Sequence, residues 1–168
     1  MLDAIFGEVA PYARPSGDWR ADLRLMAEES RAVLQRHSWL ALFSSGRIHL
    51  GPNMLTHIEF SLAAVDGLGL DNVAMTSILG MMDDYVQGSV LRDLADREIQ
   101  RRSGMSEEEW RASIAPYLRQ AVASGRYPTF ARFVDEDEPV NPEARFVFGL
   151  ECLLDGIAVR IAERRRGL

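Results

Sequence analysis

Residues 71–102 read DNVAMTSILGMMDDYVQGSVLRDLADREIQRR, and the winding of this stretch decides the fold. At about 3.6 residues per turn, Met75, Leu79, Val86, Val90 and Leu94 make one apolar stripe, widened by Ile78, Met82 and Tyr85. The pattern holds for roughly thirty residues, longer than an ordinary globular helix. A second face carries Ser77, Gly80, Asp84 and Gly88, small residues that let another helix backbone come close. The last segment, EARFVFGLECLLDGIAVRIAERRR from Glu143, repeats the design. There Phe146, Leu150, Leu153, Ile157 and Ile161 form a stripe, with Gly149, Cys152 and Gly156 beside it. Two such helices can be the buried spine of a monomer. They can equally meet their copies across a two-fold axis as a four-helix bundle, the arrangement that exposed small residues favour. The expected interface is Ser77, Gly80, Asp84, Gly88, Gly149, Cys152, Leu153, Gly156 and Arg160.

Outward from this pair, every segment has helical period. Leu2, Ile5, Phe6 and Val9 fit a short helix that stops at the breaker cluster 11–17. Asp18 caps a helix with Trp19, Leu23, Met26, Ser30, Val33 and His37 near one face, followed by a short apolar helix over 38–43. Gly51 and Pro52 suit an N-cap and first helical position, opening a helix with Leu55, Ile58, Leu62 and Val65 on its stripe, ended by Gly67 and Gly69. Ser106 with Glu109 is a capping box, and Trp110, Ile114, Tyr117, Leu118 and Ala121 supply the expected buried face. YPTFARF can form a turn of helix, the acidic run 135–138 reads as solvated loop, and Asn141 with Pro142 opens the final helix. No strand alternation occurs, so the expectation is an all-α domain.

The composition narrows the function classes. At 168 residues the chain fits one domain with a real core, and its 47% hydrophobic content is ordinary. A net charge of -6 argues against a nucleic-acid surface, since phosphate contacts need a basic stripe. The one cysteine, Cys152, excludes an internal disulfide and suits a reducing cytoplasm, where a small buried hydrophobe is its expected role. No basic and apolar leader opens the chain and no run is long and apolar enough to span a membrane, so no membrane partner is expected.

Catalytic and metal signatures are absent from the sequence. His37, His49 and His57 are scattered, with no pair at i, i+4, and no Glu-x-x-His pair exists for a di-iron bundle. Asp83 and Asp84 suggest half of a magnesium motif, but Gln87 and Gly88 stand where its last acid belongs, and adjacent helical residues diverge by about 100°. A small metal-dependent enzyme using Asp83, Asp84 and His57 is therefore the alternative reading; neither a cofactor nor catalysis is expected.

Three segments converge on one family: DWRADLRLMAEESRAVLQRHSWLALF, GPNMLTHIEFSLAAVDGLGLD and FVFGLECLLDGIAVRIAERR. Their order and spacing, with the F-x-F-G-L-x-x-L-L-D-G-I pattern at 146–157, resemble the C-terminal core of the tetracycline-repressor (TetR) family of transcriptional regulators. The resemblance implies a TetR-like helical domain that dimerises through a four-helix bundle of its long third-from-last helix and its last helix, and that senses a small molecule. It departs in lacking the helix-turn-helix unit, so the chain resembles the effector core alone. Residues 1–12 are then the remnant of a linker helix and 13–168 the ligand-binding and dimerising domain, with operator DNA reached only through a part this chain lacks. A reader-less protein that heterodimerises with a full-length relative is a further alternative.

By the same resemblance, the pocket positions fall on Ile58, Ser61, Thr76 and Leu79, framed by Trp39, Phe43, Met54, His57 and Met82. Aromatic and Met side chains imply a mostly apolar, drug-sized effector with few polar contacts, His57 first among them. RIHLGP resembles an H-L-G-T turn whose histidine helps ligate a drug-chelated magnesium. His49 takes that place, but Pro52 stands where the threonine would be.

Overall fold

The computed structural model describes residues 2–8, 14–43, 51–135 and 141–167. Its elements are α1 (Leu2–Phe6), α2 (Trp19–Arg36), α3 (Ser38–Phe43), α4 (Pro52–Val65), α5 (Asn72–Ser103), α6 (Glu107–Ala123), α7 (Pro128–Asp135) and α8 (Pro142–Arg165). Among the described residues there is no strand, as the helical periods require.

Local chemistry sets the helix starts. The Asp18 carboxylate accepts from the backbone N–H groups of Arg20 and Ala21, and Asp71 accepts from that of Ala74. Ser106 and Glu109 exchange both bonds of a capping box, and Asn141 accepts from Glu143 N–H. Each satisfies N–H groups that the first helical turn leaves without partners. The turns after α4 and α5 use Gly67, Gly69 and Gly104 at positive φ, where a Cβ would be strained.

The start of α4 is different. Gly51 has no side chain to cap with, and Asp3 of α1 does it instead. One Asp3 carboxylate oxygen accepts from the N–H groups of Asn53 and Met54, both at 3.0 Å, while the Asn53 amide donates back to the Asp3 carbonyl at 2.9 Å. A Cβ on Gly51 would lie 2.2 Å from the Asp3 side chain. Two results follow. Asp3→Ala should destabilise by about 1–2 kcal/mol, as loss of a helix cap does. Gly51→Ser, nominally a better cap residue, should also lower the melting temperature, because it displaces the cap already present. Thermal unfolding of both variants checks the pair of signs.

The chain divides into two compact units, Met1–Arg92 with Phe146–Leu168, and Asp93–Arg145. The first holds the main core: Leu23, Met26 and Ala27 of α2, Val65 of α4, Met75, Ile78, Met82 and Val86 of α5, and Phe146, Leu150, Leu154, Ile157 and Ile161 of α8. A second cluster joins Ile5, Val33 and Leu40, with Phe6 and Leu34 against it. Arg31 is buried with its guanidinium 4.2 Å from the Phe146 ring centroid, a cation–π arrangement. Arg20 and Arg24 of α2 pair with Glu151 of α8, and their hydrogen bonds hold the Glu151 carboxyl below its ordinary value.

Three expected faces need correction. On α8 the buried position is Leu154, with Leu153 only partly covered, because the core lies one residue's rotation further round. On α4 the buried set is Phe60, Ser61, Ala64 and Val65, and Leu55 is exposed. In the second unit α6 has no buried residue, and Trp110 and Tyr117 are exposed. Its amphipathic pattern is real, but one short neighbour, α7, cannot enclose a full helix face.

Candidate functional site

The small-residue face of the two long helices is open. On α5, Ser77, Gly80, Asp84 and Gly88 are all exposed, joined by Val73 and Met81. On α8, Cys152, Gly156 and Arg160 are exposed on the flank that also presents Phe148 and Val159. A groove runs between them, floored by Ile78, Leu153 and Ile157 and walled by Ala74, Met81, Cys152 and Gly156. Cys152 is therefore not the buried small hydrophobe its helical position suggested. Among the described residues, a Cβ at Gly80, Gly88 or Gly156 would meet nothing within 4 Å.

Gly149 behaves differently. Its Cβ would fall 2.3 Å from the Tyr85 hydroxyl, so its bareness is used within the chain, where α5 and α8 touch. Tyr85 donates to the Phe146 carbonyl at 2.8 Å and stacks on the Phe146 ring with centroids 5.5 Å apart.

The expected pocket residues separate into distinct environments. Met82 is fully buried in the main core, with Leu79 packed against it. Ser61 is buried beside Met26, its hydroxyl 2.7 Å from the His57 carbonyl oxygen. Thr76 is exposed and spends its hydroxyl on the Asn72 carbonyl of its own helix. Met54 and Ile58 are half-buried, and Trp39 of α3 is 39% exposed. The Phe43 side chain and His49 lie outside the described residues. His57 is the polar exception: its Nδ1 is buried with no hydrogen-bond partner among the described residues, its ring lies 6.4 Å from that of Phe6, and burial pushes its pKa below the ordinary value. A buried polar atom left without a partner costs stability, which suits a group reserved for a ligand.

Asp83 was legible only as half of a failed metal motif. Burial, with Asp84 adding repulsion, pushes its carboxyl up to about 6. Its folded form thus holds a proton more tightly than the unfolded chain, and the ionised form is a cost present above that value and relieved as pH falls toward 4. His57 runs the opposite way, since a neutral buried imidazole loses stability on acidification. The variant difference isolates Asp83: Asp83→Asn should raise the melting temperature at pH 7.5 by about 1–4 °C, and the gain should shrink toward zero at pH 4.5. Thermal melts of both proteins across that range check it. Among the described residues no three His, Cys, Asp or Glu side chains gather as a metal cluster, and no helix is long and apolar enough to cross a membrane.

Residues 10–161 match the family model described as tetracyclin repressor-like, C-terminal domain. The chain belongs to this TetR C-terminal family. It is 38% identical over 172 residues to the HTH-type transcriptional repressor DrrR1 of Streptomyces coeruleorubidus, a match covering 98% of this chain and 63% of that protein. It is also 32% identical over 157 residues to an HTH-type transcriptional regulator of Saccharopolyspora erythraea, covering 94% of this chain and again 63% of the relative. The chain thus spans under two thirds of the length of the curated relatives it matches. The all-α expectation and the resemblance both hold, and the match embraces every helix from α2 to α7 and most of α8.

Proposed function

We propose that this chain is the effector-sensing and dimerising domain of a TetR-type transcriptional repressor, and that it has no chemistry of its own. The observation that carries the reading is the exposed face of α5 and α8, where Gly80, Gly88 and Gly156 sit mid-helix against open space. Helix-interior glycines cost about 0.5–1 kcal/mol each relative to alanine, and a second backbone docked on them supplies the return. The interface is Ser77, Gly80, Asp84, Gly88, Cys152, Leu153, Gly156 and Arg160, with Gly149 behind it, and the partner is a second copy. Operator DNA is bound through a separate helix-turn-helix part, in the cytoplasm, and α1 with the residues to 12 belongs to the link with that part.

Sensing is placed on the other side of α5, between it and the α3 and α4 helices, where the half-buried Met54, His57, Ile58 and Leu79 supply apolar wall and His57 Nδ1 an open hydrogen-bonding atom. A ligand that binds one arrangement of these helices better than another shifts their equilibrium, which is how binding would reach a DNA reader. A thermal-shift screen of hydrophobic antibiotics, dyes and acyl compounds tests it, since a ligand of the folded state raises the melting temperature by mass action. Hits should weaken in His57→Ala and Ser61→Trp; hits that persist unchanged in both, and in Met82→Trp, refute this location.

A further inference from the structure

The first turn of α4 takes its cap from another helix. Of its leading positions, Pro52 has no N–H, Leu55 donates to the Gly51 carbonyl, and the amides of Asn53 and Met54 both go to the Asp3 carboxylate. Gly51 offers no side chain, so among the described residues Asp3 alone caps the start of α4. The Asn53 side chain returns the contact, donating to the Asp3 carbonyl at 2.9 Å and to its carboxylate at 3.1 Å. It also lies along α1, since a Cβ on Gly7 would come 3.0 Å from the Asn53 Nδ2.

The dependence runs both ways. α1 has five residues, and a helix that short does not hold itself together in water. Besides Asn53, two holds keep it in place. Ile5 is buried against Val33 of α2 and Leu40 of α3. The Glu8 carboxylate just after α1 lies 3.0 Å from His37 Nε2 and 3.6 Å from the Arg36 guanidinium at the end of α2. A helix too short to stand alone thus caps a helix that has no side-chain cap of its own, and each loses order when the other leaves.

We propose that docking of α1 and ordering of the first turn of α4 are one equilibrium, with Asp3 as a detachable cap that α1 carries on and off. Its use is regulatory, and in this it rests on the sensing reading above. Met54 and His57 stand on the turns that the cap orders, and the Phe6 ring of α1 lies 6.4 Å from that of His57. A ligand that requires those turns secures α1, and whatever draws α1 away weakens that ligand in turn.

Hydrogen exchange of the 168-residue chain, read amide by amide, tests the coupling without any ligand. Ile5→Ala removes the hold on α2 and α3 and leaves every bond between Asp3 and α4 in place. Exchange at Asn53 and Met54 should nevertheless quicken by at least about tenfold. Asp3→Ala should quicken the same two amides by about five- to thirtyfold, and with them those of Gly7 and Glu8, which donate to carbonyls of α1. Asp18→Ala, which uncaps α2 instead, is the control and should leave Asn53 and Met54 within about twofold of the wild type. Wild-type exchange at Asn53 and Met54 in Ile5→Ala, or a change no larger there than at the buried Val86 and Val90 of α5, overturns the proposal. An Asp18→Ala protein in which the two amides quicken as much as in Ile5→Ala overturns it as well. None of these failures touches the sensing reading, and a thermal-shift screen without hits would leave the coupling standing.

Discussion

Gly149→Val should destabilise the protein by about 3 kcal/mol and lower its melting temperature by about 6–12 °C, a larger loss than any surface substitution on the same helix. Even the first added carbon would sit 2.3 Å from the Tyr85 hydroxyl and 2.8 Å from its ring. Tyr85 cannot simply swing aside, because its hydroxyl donates to the Phe146 carbonyl and its ring stacks on Phe146, itself buried under Arg31. A double-mutant cycle isolates the contact. Gly149→Ala alone should cost about 1–2 kcal/mol, since the steric loss exceeds the helix propensity that alanine adds. In a Tyr85→Ala background the obstacle is gone, and the same substitution should stabilise by about 0.5–1 kcal/mol. Calorimetric or chemical denaturation of the four proteins reads this change of sign. A Gly149→Ala effect that is the same in both backgrounds would show that α5 and α8 do not approach in this way.

What was readable in the sequence was what depends on near neighbours in the chain. Asp18, Ser106 and Asn141 announce their helices because a cap acts over three residues, and the stripes of α5 and α8 announce themselves because apolar periodicity is local. The rotation of a stripe is less secure: Leu153 and Leu154 are equally apolar, and only the position of α2 and α5 decides that Leu154 is buried. Contacts over long separations left no trace. Gly51 read as an ordinary cap, whereas its bareness makes room for Asp3, which caps α4 from 50 residues away. Gly149 and Gly156 look alike in the pattern, yet one faces Tyr85 and the other open space. For the candidate ligand site, residue types were legible and surroundings were not. Thr76 turned out to bond its own helix and Met82 to fill the core. The burial expected on α6 failed for the same reason, since amphipathicity tells that a face is apolar and not whether anything is there to cover it.

Gly156→Arg should abolish the proposed dimer while leaving the subunit folded. Because a Cβ at position 156 meets nothing within 4 Å, the long side chain has room in the isolated chain and no internal clash is expected, in contrast to Gly149. In the proposed assembly the same side chain would hold two backbones apart and place a long charged group against Cys152, Leu153 and Met81 of the groove. The loss of close helix packing and the desolvation of a charge together should weaken association by several orders of magnitude. Sedimentation at tens of micromolar should find the wild type as a dimer and the variant as a monomer, with circular dichroism unchanged in helix content. Because dimerisation stabilises by mass action, the wild-type melting temperature should rise with protein concentration and that of the variant should not. Gly88→Arg, on the facing helix and equally free of internal contacts, should reproduce the result. A monomeric wild type, or a Gly156→Arg protein that dimerises as well as the wild type, would place the partner surface elsewhere and leave the three mid-helix glycines without a role.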